Sequence, residues 1–582
     1  MPDPTHEPSP GSEQPLKPEH SLPSYHEPTP ETHRRISREE EAELALQRTT
    51  FAPGARTMLI ALFLLTIAVA PTIQLIAELR GSHSGGLPML AIFKVLPSWS
   101  QIRSFRSPSD LWHALPRAED IKAAEKTLEN ESILSQWWRP HIQATLTATL
   151  RAGSEQAYPG HDGWLFYRPD VDYVTGPPFL DPTRLRHRAH SAEVQPDPIK
   201  AIVAFRDELS ARGIELIVMP VPVKPCIDGE MLAARATGAG PLQNASFAEF
   251  KTRLAERGVR VFDPAPLLAA HKAAANGAPL FLATDTHWRP ETMTFVAKEL
   301  AAQLGTPPAE RSDRLQLVDR EVTALGDIAT MLKLPKDQQL FHPEKVTIRQ
   351  VAEGTGWWRP SPDARVLLLG DSFANIFSFE AMGWGEAAGF AEHLSAALGQ
   401  PLDCILRNSD GAFATRELLS RELARGRDRL AGKTHVVWEF AARELAFGNW
   451  KLLEMKTGPA PATRFFSPQP GQGVLVSGTV VIVSPVPRPG TVPYKDHIAT
   501  VHLTDLQGTP RGEFENGQAL IYLQSMRENV WTRTARLRPG DRITVRLRAW
   551  ADVSARYDKI NRSEIEDPAL QLEEPAWGEL VD

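Results

Sequence analysis

Residues 365–373 read RVLLLGDSF, an uninterrupted apolar run that ends in Gly-Asp-Ser-Phe. A short apolar run closed by turn residues is typical of a buried strand, and the glycine marks the turn that ends it. The pattern therefore predicts a strand that turns sharply into a helix at Ser372, where the hydroxyl is presented at the edge of a sheet. A serine becomes a useful nucleophile once a neighbouring base takes its proton.

A second short motif, DTHW at residues 285–288, offers that base. Histidine is the usual base near neutral pH, so His287 is the candidate. Asp285 could accept a hydrogen bond from the other ring nitrogen and fix the tautomer. The alternative is structural, since Thr284 or Asp285 could cap a helix that begins near Pro290.

Helical and strand patterns alternate between about residues 196 and 445. Two amphipathic segments end at Gly213 and Gly258, and each is followed at once by an apolar run. Further apolar runs lie at 365–369, 402–406 and 435–440. This alternation predicts an α/β fold with a doubly wound, mostly parallel sheet, in which the active site lies at the carboxyl ends of the strands.

Residues 57–77 carry no charged side chain. A helix of this length is long enough to cross a bilayer core of about 30 Å. A buried hairpin of a soluble domain is the alternative. Arginines are concentrated before the segment, and this bias predicts a cytoplasmic N-terminus and an exported body. The Pro-rich residues 1–56 are predicted to be a disordered cytoplasmic tail, and residues 78–154 a helical linker or stalk.

The composition argues against several classes of function. The net charge is -7 and basic residues form no long block, so nucleic-acid binding gains no support. Histidines and cysteines never occur at metal-ligand spacing, and no phosphate-binding glycine loop is present, so neither a metal nor another cofactor is predicted. Cys226 and Cys404 could pair in an oxidising compartment, but two cysteines do not reveal the compartment.

After residue 463 the chain changes to short β-type runs separated by proline and glycine turns. This texture predicts a small antiparallel β domain over 465–582, after an α/β body at 155–455. We expect the acidic tail from Asp558 onward to be loosely ordered.

Four motifs occur in a characteristic order, namely GHDGWLFY at 160–167, DTHW at 285–288, GDSF at 370–373 and VWEFAAR at 437–443. Together they resemble alginate O-acetyltransferases of the AlgX/AlgJ type over about residues 155–450. That family has an SGNH-hydrolase-like domain in which Asp-x-His precedes the nucleophile, as it does here. The resemblance implies Ser372 as nucleophile, His287 as general base and Asp285 as the group that orients it.

Other candidate site residues follow strand ends or flank the motifs. Asn408 could supply an oxyanion-binding amide beside the backbone N–H of the nucleophile, or it could simply form a turn. Arg443 could contact substrate or brace the site through a salt bridge. Trp288 could stack on a sugar, or pack so that it holds the imidazole. Asp371 is predicted to be a turn or helix-cap residue rather than a second acid.

The resemblance implies a single-pass inner-membrane protein with its catalytic body in the periplasm. It would take acetyl groups from a membrane-bound O-acyltransferase partner and pass them to an exopolysaccharide acceptor. The membrane anchor resembles the AlgJ type, whereas an added β module resembles the AlgX type, whose module binds polysaccharide. Two alternatives remain open: a carbohydrate acetylesterase that uses the same triad, and a non-catalytic glycan-binding scaffold of a secretion machine.

Overall fold

The computed structural model falls into two units, Met1–Gly81 and Ser82–Asp582. It describes residues 52–80, 122, 133–190, 194–233, 236, 240–305, 315–408, 411–424, 426–458, 465–487, 489, 492, 494–508, 517–537, 539–565, 567–571 and 573–581. The first unit contains helix α1 (Pro53–Arg80), which is long and apolar enough to cross a membrane. The predicted disordered tail lies outside the described residues, apart from the residues at the start of α1.

The described helices of the second unit are α2 (Ile133–Leu150), α3 (Arg168–Thr175), α4 (Pro182–Ala189), α5 (Pro198–Ser210), α6 (Lys224–Ile227), α7 (Phe247–Glu256), α8 (Pro264–Ala274), α9 (Pro290–Gln303), α10 (Asp327–Met331), α11 (Ser372–Asn375), α12 (Phe390–Leu398), α13 (Ala414–Ala424), α14 (Glu444–Phe447), α15 (Trp550–Tyr557) and α16 (Pro568–Gln571).

Its strands are β1 (Ala157–Pro159), β2 (Leu165–Tyr167), β3 (Glu215–Val221), β4 (Arg260–Val261), β5 (Leu315–Ala324), β6 (Glu344–Glu353), β7 (Gly356–Trp357), β8 (Val366–Gly370), β9 (Asp403–Leu406), β10 (His435–Ala441), β11 (Gly473–Val483), β12 (His497–Gly508), β13 (Ala519–Arg527), β14 (Val530–Trp531), β15 (Arg542–Arg548), β16 (Asn561–Ser563) and β17 (Ala576–Leu580).

A five-stranded sheet with the order β4-β3-β10-β8-β9 forms the centre of the α/β body, and its neighbouring strands pair in parallel. All five residues of β8 are buried, which explains their continuous apolar pattern, because strands covered on both faces lose the polar alternation. The predicted parallel sheet is therefore present. The doubly wound arrangement of helices around it stays a prediction.

The turn at the carboxyl end of β8 is tied to the neighbouring strand. Asp371 is the N-cap of α11, and its Oδ1 accepts a hydrogen bond from the Phe373 backbone N–H at 2.8 Å. Its Oδ2 accepts from the backbone N–H of Ala441, the last residue of β10, at 2.7 Å. The predicted cap role of Asp371 is confirmed, and the carboxylate holds the start of α11 against the end of β10.

Residues 133–150 of the predicted helical linker form α2, which contains Pro140. The earlier part of that prediction, residues 78–132, lies outside the described residues apart from the last residues of α1 and Lys122. Between α9 and β8 the chain forms a three-stranded antiparallel sheet of β5, β6 and β7, which the sequence patterns did not predict.

The C-terminal region forms a seven-stranded sheet with the order β14-β13-β17-β15-β11-β12-β16. Most of its pairings are antiparallel, as predicted, while β16 and β17 make parallel pairings with β12 and β13. The prediction of a loosely ordered tail after Asp558 is wrong, because both of those strands belong to the tail. Packing of Trp577 explains why the tail is ordered. The Trp577 side chain is buried, and its ring stacks on Tyr557 with centroids 4.0 Å apart.

Candidate active site

The DTHW and GDSF motifs meet at one cavity of about 590 Å³, lined by both His287 and Ser372. The two side chains are almost fully buried. Ser372 begins α11 directly after β8, so it lies at the carboxyl end of a central parallel strand, as the sequence predicts. Parallel sheets place ligand sites at this edge, because the loops that follow neighbouring strands converge there.

Asp285 and His287 form a buried carboxylate–imidazole pair. The Nδ1 atom of His287 lies 2.6 Å from Asp285 Oδ1, which also accepts the backbone N–H of the same histidine at 3.1 Å. The imidazole is thereby held from two points. Its other nitrogen, Nε2, is buried and has no hydrogen-bond partner among the described residues.

The alternative that Asp285 caps the following helix is wrong. The N-cap of α9 is Arg289, and the start of that helix has no side-chain capping hydrogen bond. The second oxygen of Asp285 instead accepts the indole N–H of Trp384 at 2.8 Å and the backbone N–H of Asp327 at 3.0 Å. One Asp285 carboxylate oxygen therefore contacts His287, and the other accepts hydrogen bonds from Trp384 and Asp327.

These contacts shift the ionisation of the pair in opposite directions. Burial alone would raise the pKa of Asp285, but the hydrogen bond and charge of His287, with the neighbouring N–H donors, lower it to about 2. Burial alone would lower the pKa of His287, but the hydrogen bond to Asp285 and its negative charge outweigh burial and raise that pKa. The pair therefore combines an ionised carboxylate with a strengthened base.

Asp327, which the sequence reasoning missed, holds Thr286, the residue between Asp285 and His287. Its carboxylate accepts the backbone N–H of Thr286 at 2.8 Å and also the threonine hydroxyl. Burial and the charge of Asp285 raise the pKa of Asp327 to about 6. Potential metal-ligand atoms of Asp285, His287 and Asp327 lie within 4.8 Å of one another. We assign no metal to them, since every one of these carboxylate oxygens already accepts from fixed donors.

Lys224 is a second residue that the sequence reasoning missed. Its side chain is completely buried, and Nζ donates to the backbone oxygens of Leu165 at 2.7 Å and Ala283 at 3.3 Å. It thereby joins the GHDGWLFY hairpin to the start of the DTHW loop. Burial lowers the pKa of Lys224 to about 8, although the nearby Asp285 carboxylate favours the charged form. The only local signal was a lysine at the end of an apolar strand.

Ser372 occupies the first position of α11, where a backbone N–H has no intrahelical acceptor. The next residue, Phe373, packs its ring against the His287 imidazole with centroids 4.8 Å apart. No hydrogen bond joins the serine hydroxyl to the histidine, whose Nε2 is unpartnered within the described part of the chain. The serine and the histidine line the same cavity.

Trp288 is fully buried, so the interpretation that it stacks on a sugar is wrong for this structure. Its indole N–H donates to the Phe373 backbone oxygen at 3.1 Å, and its ring stacks on Phe390 with centroids 5.7 Å apart. The other interpretation applies: Trp288 packs between the DTHW loop and α11 and holds the two motifs together.

Arg443 lines the cavity and also braces it. Its guanidinium lies 3.0 Å from the buried carboxylate of Asp170 and sits over the Tyr167 ring, 5.3 Å from the ring centroid. Both partners come from the start of the chain's α/β body, near the GHDGWLFY motif. The salt-bridge role is therefore present, and a contact between Arg443 and substrate stays a prediction.

Asn408 is fully buried and is not among the residues that line the cavity. Its side-chain oxygen accepts from Asn375 Nδ2 at 3.1 Å, while its own Nδ2 has no partner among the described residues. Its backbone oxygen accepts from the side chain of Asn561. The role of Asn408 as a second oxyanion donor stays a prediction.

Within the VWEFAAR motif, Glu439 supports the turn that follows β8. This side chain is buried beneath the turn after β8, and its Oε2 accepts the Asp371 backbone N–H at 2.8 Å. Burial, together with the charge of Asp371, raises the pKa of Glu439 well above its ordinary value. The Glu439 carboxyl group therefore supports the turn that presents Ser372.

Cys226 and Cys404 are both buried, and they form no disulfide bond with each other.

A family model described as "SGNH hydrolase-like domain, acetyltransferase AlgX" matches residues 157–442. The probable alginate O-acetylase AlgJ of Pseudomonas syringae pv. tomato is 24% identical over 297 residues, covering 49% of this chain and 71% of that protein. The probable alginate O-acetylase AlgJ of Pseudomonas aeruginosa is 26% identical over 254 residues, covering 40% of this chain and 59% of that protein, less than two thirds of its length.

Among solved structures, the chain is similar to the O-acetyltransferase domain of Pseudomonas putida AlgJ, with 22% identity and a TM-score of 0.37. That likeness covers 50% of this chain and 93% of the other. The family match contains the first three sequence motifs, including Asp285, His287 and Ser372, and ends one residue before the end of the fourth. Residues 157–442 therefore form an SGNH hydrolase-like domain of the AlgX/AlgJ type.

Proposed function

We propose that this protein is an exopolysaccharide O-acetyltransferase, acting on an alginate-like polymer through a Ser372 acyl-enzyme. The observation that carries the proposal is the buried Asp285–His287 pair. His287 lines the same cavity as the serine, and its Nε2 has no hydrogen-bond partner among the described residues. The names of the relatives, which are probable alginate O-acetylases, support the choice of acetyl group and polymer class.

In the first step, the Ser372 hydroxyl attacks the carbonyl carbon of an acetyl ester and passes its proton to His287 Nε2. The tetrahedral intermediate then expels the donor alcohol, which takes the proton back from the imidazolium. The products are an acetyl ester on Ser372 and a free donor alcohol. Asp285 keeps the imidazole in the tautomer with Nδ1 protonated and stabilises the transient positive charge.

In the second step, a hydroxyl of the acceptor sugar gives its proton to His287 and attacks the acetyl-serine. Collapse of the second intermediate returns the proton to Ser372 and leaves the acetyl group on the sugar. The negative charge of both intermediates falls near the first turn of α11, where the free Ser372 N–H can donate a hydrogen bond. The amide of Asn408 is our candidate for a second donor.

We further propose that α1 anchors the protein in the inner membrane with the body in the periplasm. The length and apolar character of α1 support the anchor. Acetyl groups would then reach Ser372 from a membrane-bound O-acyltransferase partner in the same membrane. Since neither a metal nor another cofactor enters the two steps, side chains of this chain carry out all of the proton transfers.

The test uses the full chain in detergent micelles, a chromogenic acetyl ester as donor, and intact mass as readout. We expect the wild-type protein to gain one acetyl group and to pass it to oligosaccharides, whereas Ser372→Ala gains none. The matched control is Ser554→Ala on α15, which should behave like wild type. Ester hydrolysis without transfer to any sugar would instead favour the acetylesterase. Glycan binding with no adduct would favour the scaffold.

A further inference from the structure

We infer that the C-terminal β region completes the active-site cavity with a subsite for the carboxylate of an acidic acceptor sugar, centred on Lys495. The inference rests on the proposed function and names the acceptor class. The observation behind it is that residues from both sequence regions line one cavity: Val492, Lys495 and Asn529 contribute to the space that also contains His287 and Ser372.

Lys495 and Asn529 form a small fixed unit. Lys495 lies just before β12, and Asn529 lies in the tight turn between β13 and β14. The backbone N–H of Asn529 donates to the Lys495 backbone oxygen at 2.9 Å, which joins the two segments. A Cβ built on Gly383 would lie 3.9 Å from Lys495 Nζ, so the ammonium reaches the rim contributed by the α/β body. Gly383 also lines the cavity, so the ammonium lies next to a part of the wall that the α/β body contributes.

Lys495 differs from the other cation that lines the cavity. Arg443 is held by the buried Asp170 carboxylate at 3.0 Å. The Lys495 ammonium makes no ion pair or hydrogen bond with any residue in the described ranges. A partly buried ammonium without a counter-ion favours an anion from outside the chain.

The acidic residues that line the cavity are committed elsewhere. Asp371 accepts two backbone N–H groups, Asp327 accepts from Thr286, and Glu444 accepts the backbone N–H of Ala412 at 3.1 Å. None of the three contacts the Lys495 ammonium within hydrogen-bond distance. Asp496, the next residue in the chain, feels the charge of Lys495 but forms no ion pair with it in the described part of the chain. The ammonium that lines the cavity can therefore pair with an anionic ligand.

Asn529 adds a polar group of the kind that sugars satisfy. Its side-chain oxygen is buried and has no hydrogen-bond partner within the described part of the chain. A sugar hydroxyl that donates to this oxygen would remove an unfavourable buried acceptor. Lys495 bound to the carboxylate and Asn529 bound to a hydroxyl of the same sugar would orient that ring, while the neighbouring hydroxyl faces the acetyl-serine. Lys495 is therefore a specificity-determining residue for the acceptor.

The experiment measures acetyl transfer by the full chain in detergent micelles, with a chromogenic acetyl ester as donor. The acceptors are short oligomers of a hexuronic acid and the same oligomers with every carboxylate converted to a neutral carboxamide. We expect wild type to prefer the acidic oligomer. Lys495→Gln should raise KM for that oligomer roughly tenfold, because it removes one charge-assisted hydrogen bond. Formation of the acetyl-enzyme and transfer to the neutral oligomer should not change.

Arg542→Gln is the matched control, because Arg542 is exposed on the C-terminal sheet and donates to Gln507, outside the cavity. An equal rise in KM for this control would overturn the subsite in favour of general attraction to the sheet. Efficient transfer by wild type with no preference for the acidic oligomer, or with no effect of Lys495→Gln, overturns the inference and leaves the proposed function intact. Failure of wild type to acetylate any oligomer overturns the proposed function itself.

Discussion

At the scale of single residues, the chemistry depends on the protonation of His287. Only the neutral imidazole can take a proton from Ser372. Burial works against the charged imidazolium, but the hydrogen bond to Asp285 and its charge work for it and dominate. The folded protein therefore holds a proton on this histidine at a higher pH than a free histidine would.

This raised pKa predicts an acidic limb in the pH–rate profile. The rate of acetyl-enzyme formation should fall as the pH drops through an apparent pKa above about 6.5, the ordinary histidine value. Trp384→Phe should move the limb to still higher pH, because it removes an N–H dipole that partly neutralises the Asp285 carboxylate. The measurement is kcat/KM for the chromogenic ester as a function of pH.

Trp358→Phe provides the control for that experiment. Trp358 is also a buried tryptophan whose indole N–H donates to a side chain, but its acceptor is the Ser395 hydroxyl at 2.9 Å rather than the Asp285 carboxylate. This variant should lose a comparable hydrogen bond and leave the acidic limb where it is. A limb that moves equally in both variants would contradict a specific positioning role for Trp384.

At the scale of elements, the proposed chemistry requires the GDSF turn and the DTHW loop to bring Ser372 and His287 within hydrogen-bond distance of each other. The GDSF turn is held by Asp371 and Glu439, and both contacts connect it to β10. The DTHW loop is held by the first residues of α10, through the backbone N–H of Asp327 and its carboxylate. The close approach of α10 to this loop requires a glycine at position 326.

Gly326→Ala should therefore displace the DTHW loop. A Cβ at this position would lie 2.3 Å from the backbone carbonyl of Thr284 and 2.4 Å from the backbone N of Asp285, neither of which is a flexible side-chain end. We expect a destabilisation of about 1–3 kcal/mol, typical of overpacking, and a loss of acetyl-enzyme formation of more than tenfold. Thermal unfolding and the chromogenic assay measure the two effects.

Gly356→Ala is the corresponding control, since a Cβ at that position meets nothing within 4 Å. It should leave both the melting temperature and the rate close to those of wild type. Wild-type activity in Gly326→Ala would show that the loop adjusts without cost to the catalytic geometry.

At the scale of the whole molecule, the α/β body and the C-terminal sheet share a buried ionic contact. Lys559 Nζ lies 3.1 Å from Glu392 Oε1 and 2.7 Å from the Ser378 hydroxyl, and the Glu392 side chain is completely buried. Burial alone would raise the pKa of Glu392, but the Lys559 charge and the hydrogen bonds from Ser378 and Lys559 together outweigh burial and lower it. The two regions therefore stabilise each other, because Lys559 of one region neutralises the buried Glu392 carboxylate of the other.

Lys559→Met should destabilise the protein by about 3–5 kcal/mol at neutral pH, because it leaves the Glu392 carboxylate buried without its cation. The lowered pKa of Glu392 means that its contribution is present above the ordinary value near 4.5 and is lost as the pH falls through the folded value. The deficit of the variant should therefore shrink in acid. Thermal unfolding at several pH values measures it.

Lys456→Ala serves as the comparison, since the Lys456–Glu454 pair is exposed on both sides and should contribute nothing measurable. A Lys559→Met protein that unfolds at the wild-type temperature would mean that the buried contact does not couple the two regions.

Local patterns were enough to predict much of the α/β body. The central strands β8, β9 and β10 lie within a residue or two of the predicted runs, and α9 begins at Pro290 as expected. The three-stranded sheet was missed because β5 is mostly exposed and mixes charged with apolar residues, so it shows no regular alternation. The acidic tail was misjudged because its few apolar residues find partners only in the assembled sheet.

The sequence by itself determined the strand that ends at Gly370, the turn that presents Ser372, and the Asp-x-His spacing that pairs Asp285 with His287. These features are local, since period, turn residues and a two-residue separation depend on neighbours in the chain. Only the tertiary structure decided what surrounds them. It brings Asp170, Lys224 and Trp384 to the site and places Lys495 in the lining of the cavity, because burial and proximity arise when distant segments pack together.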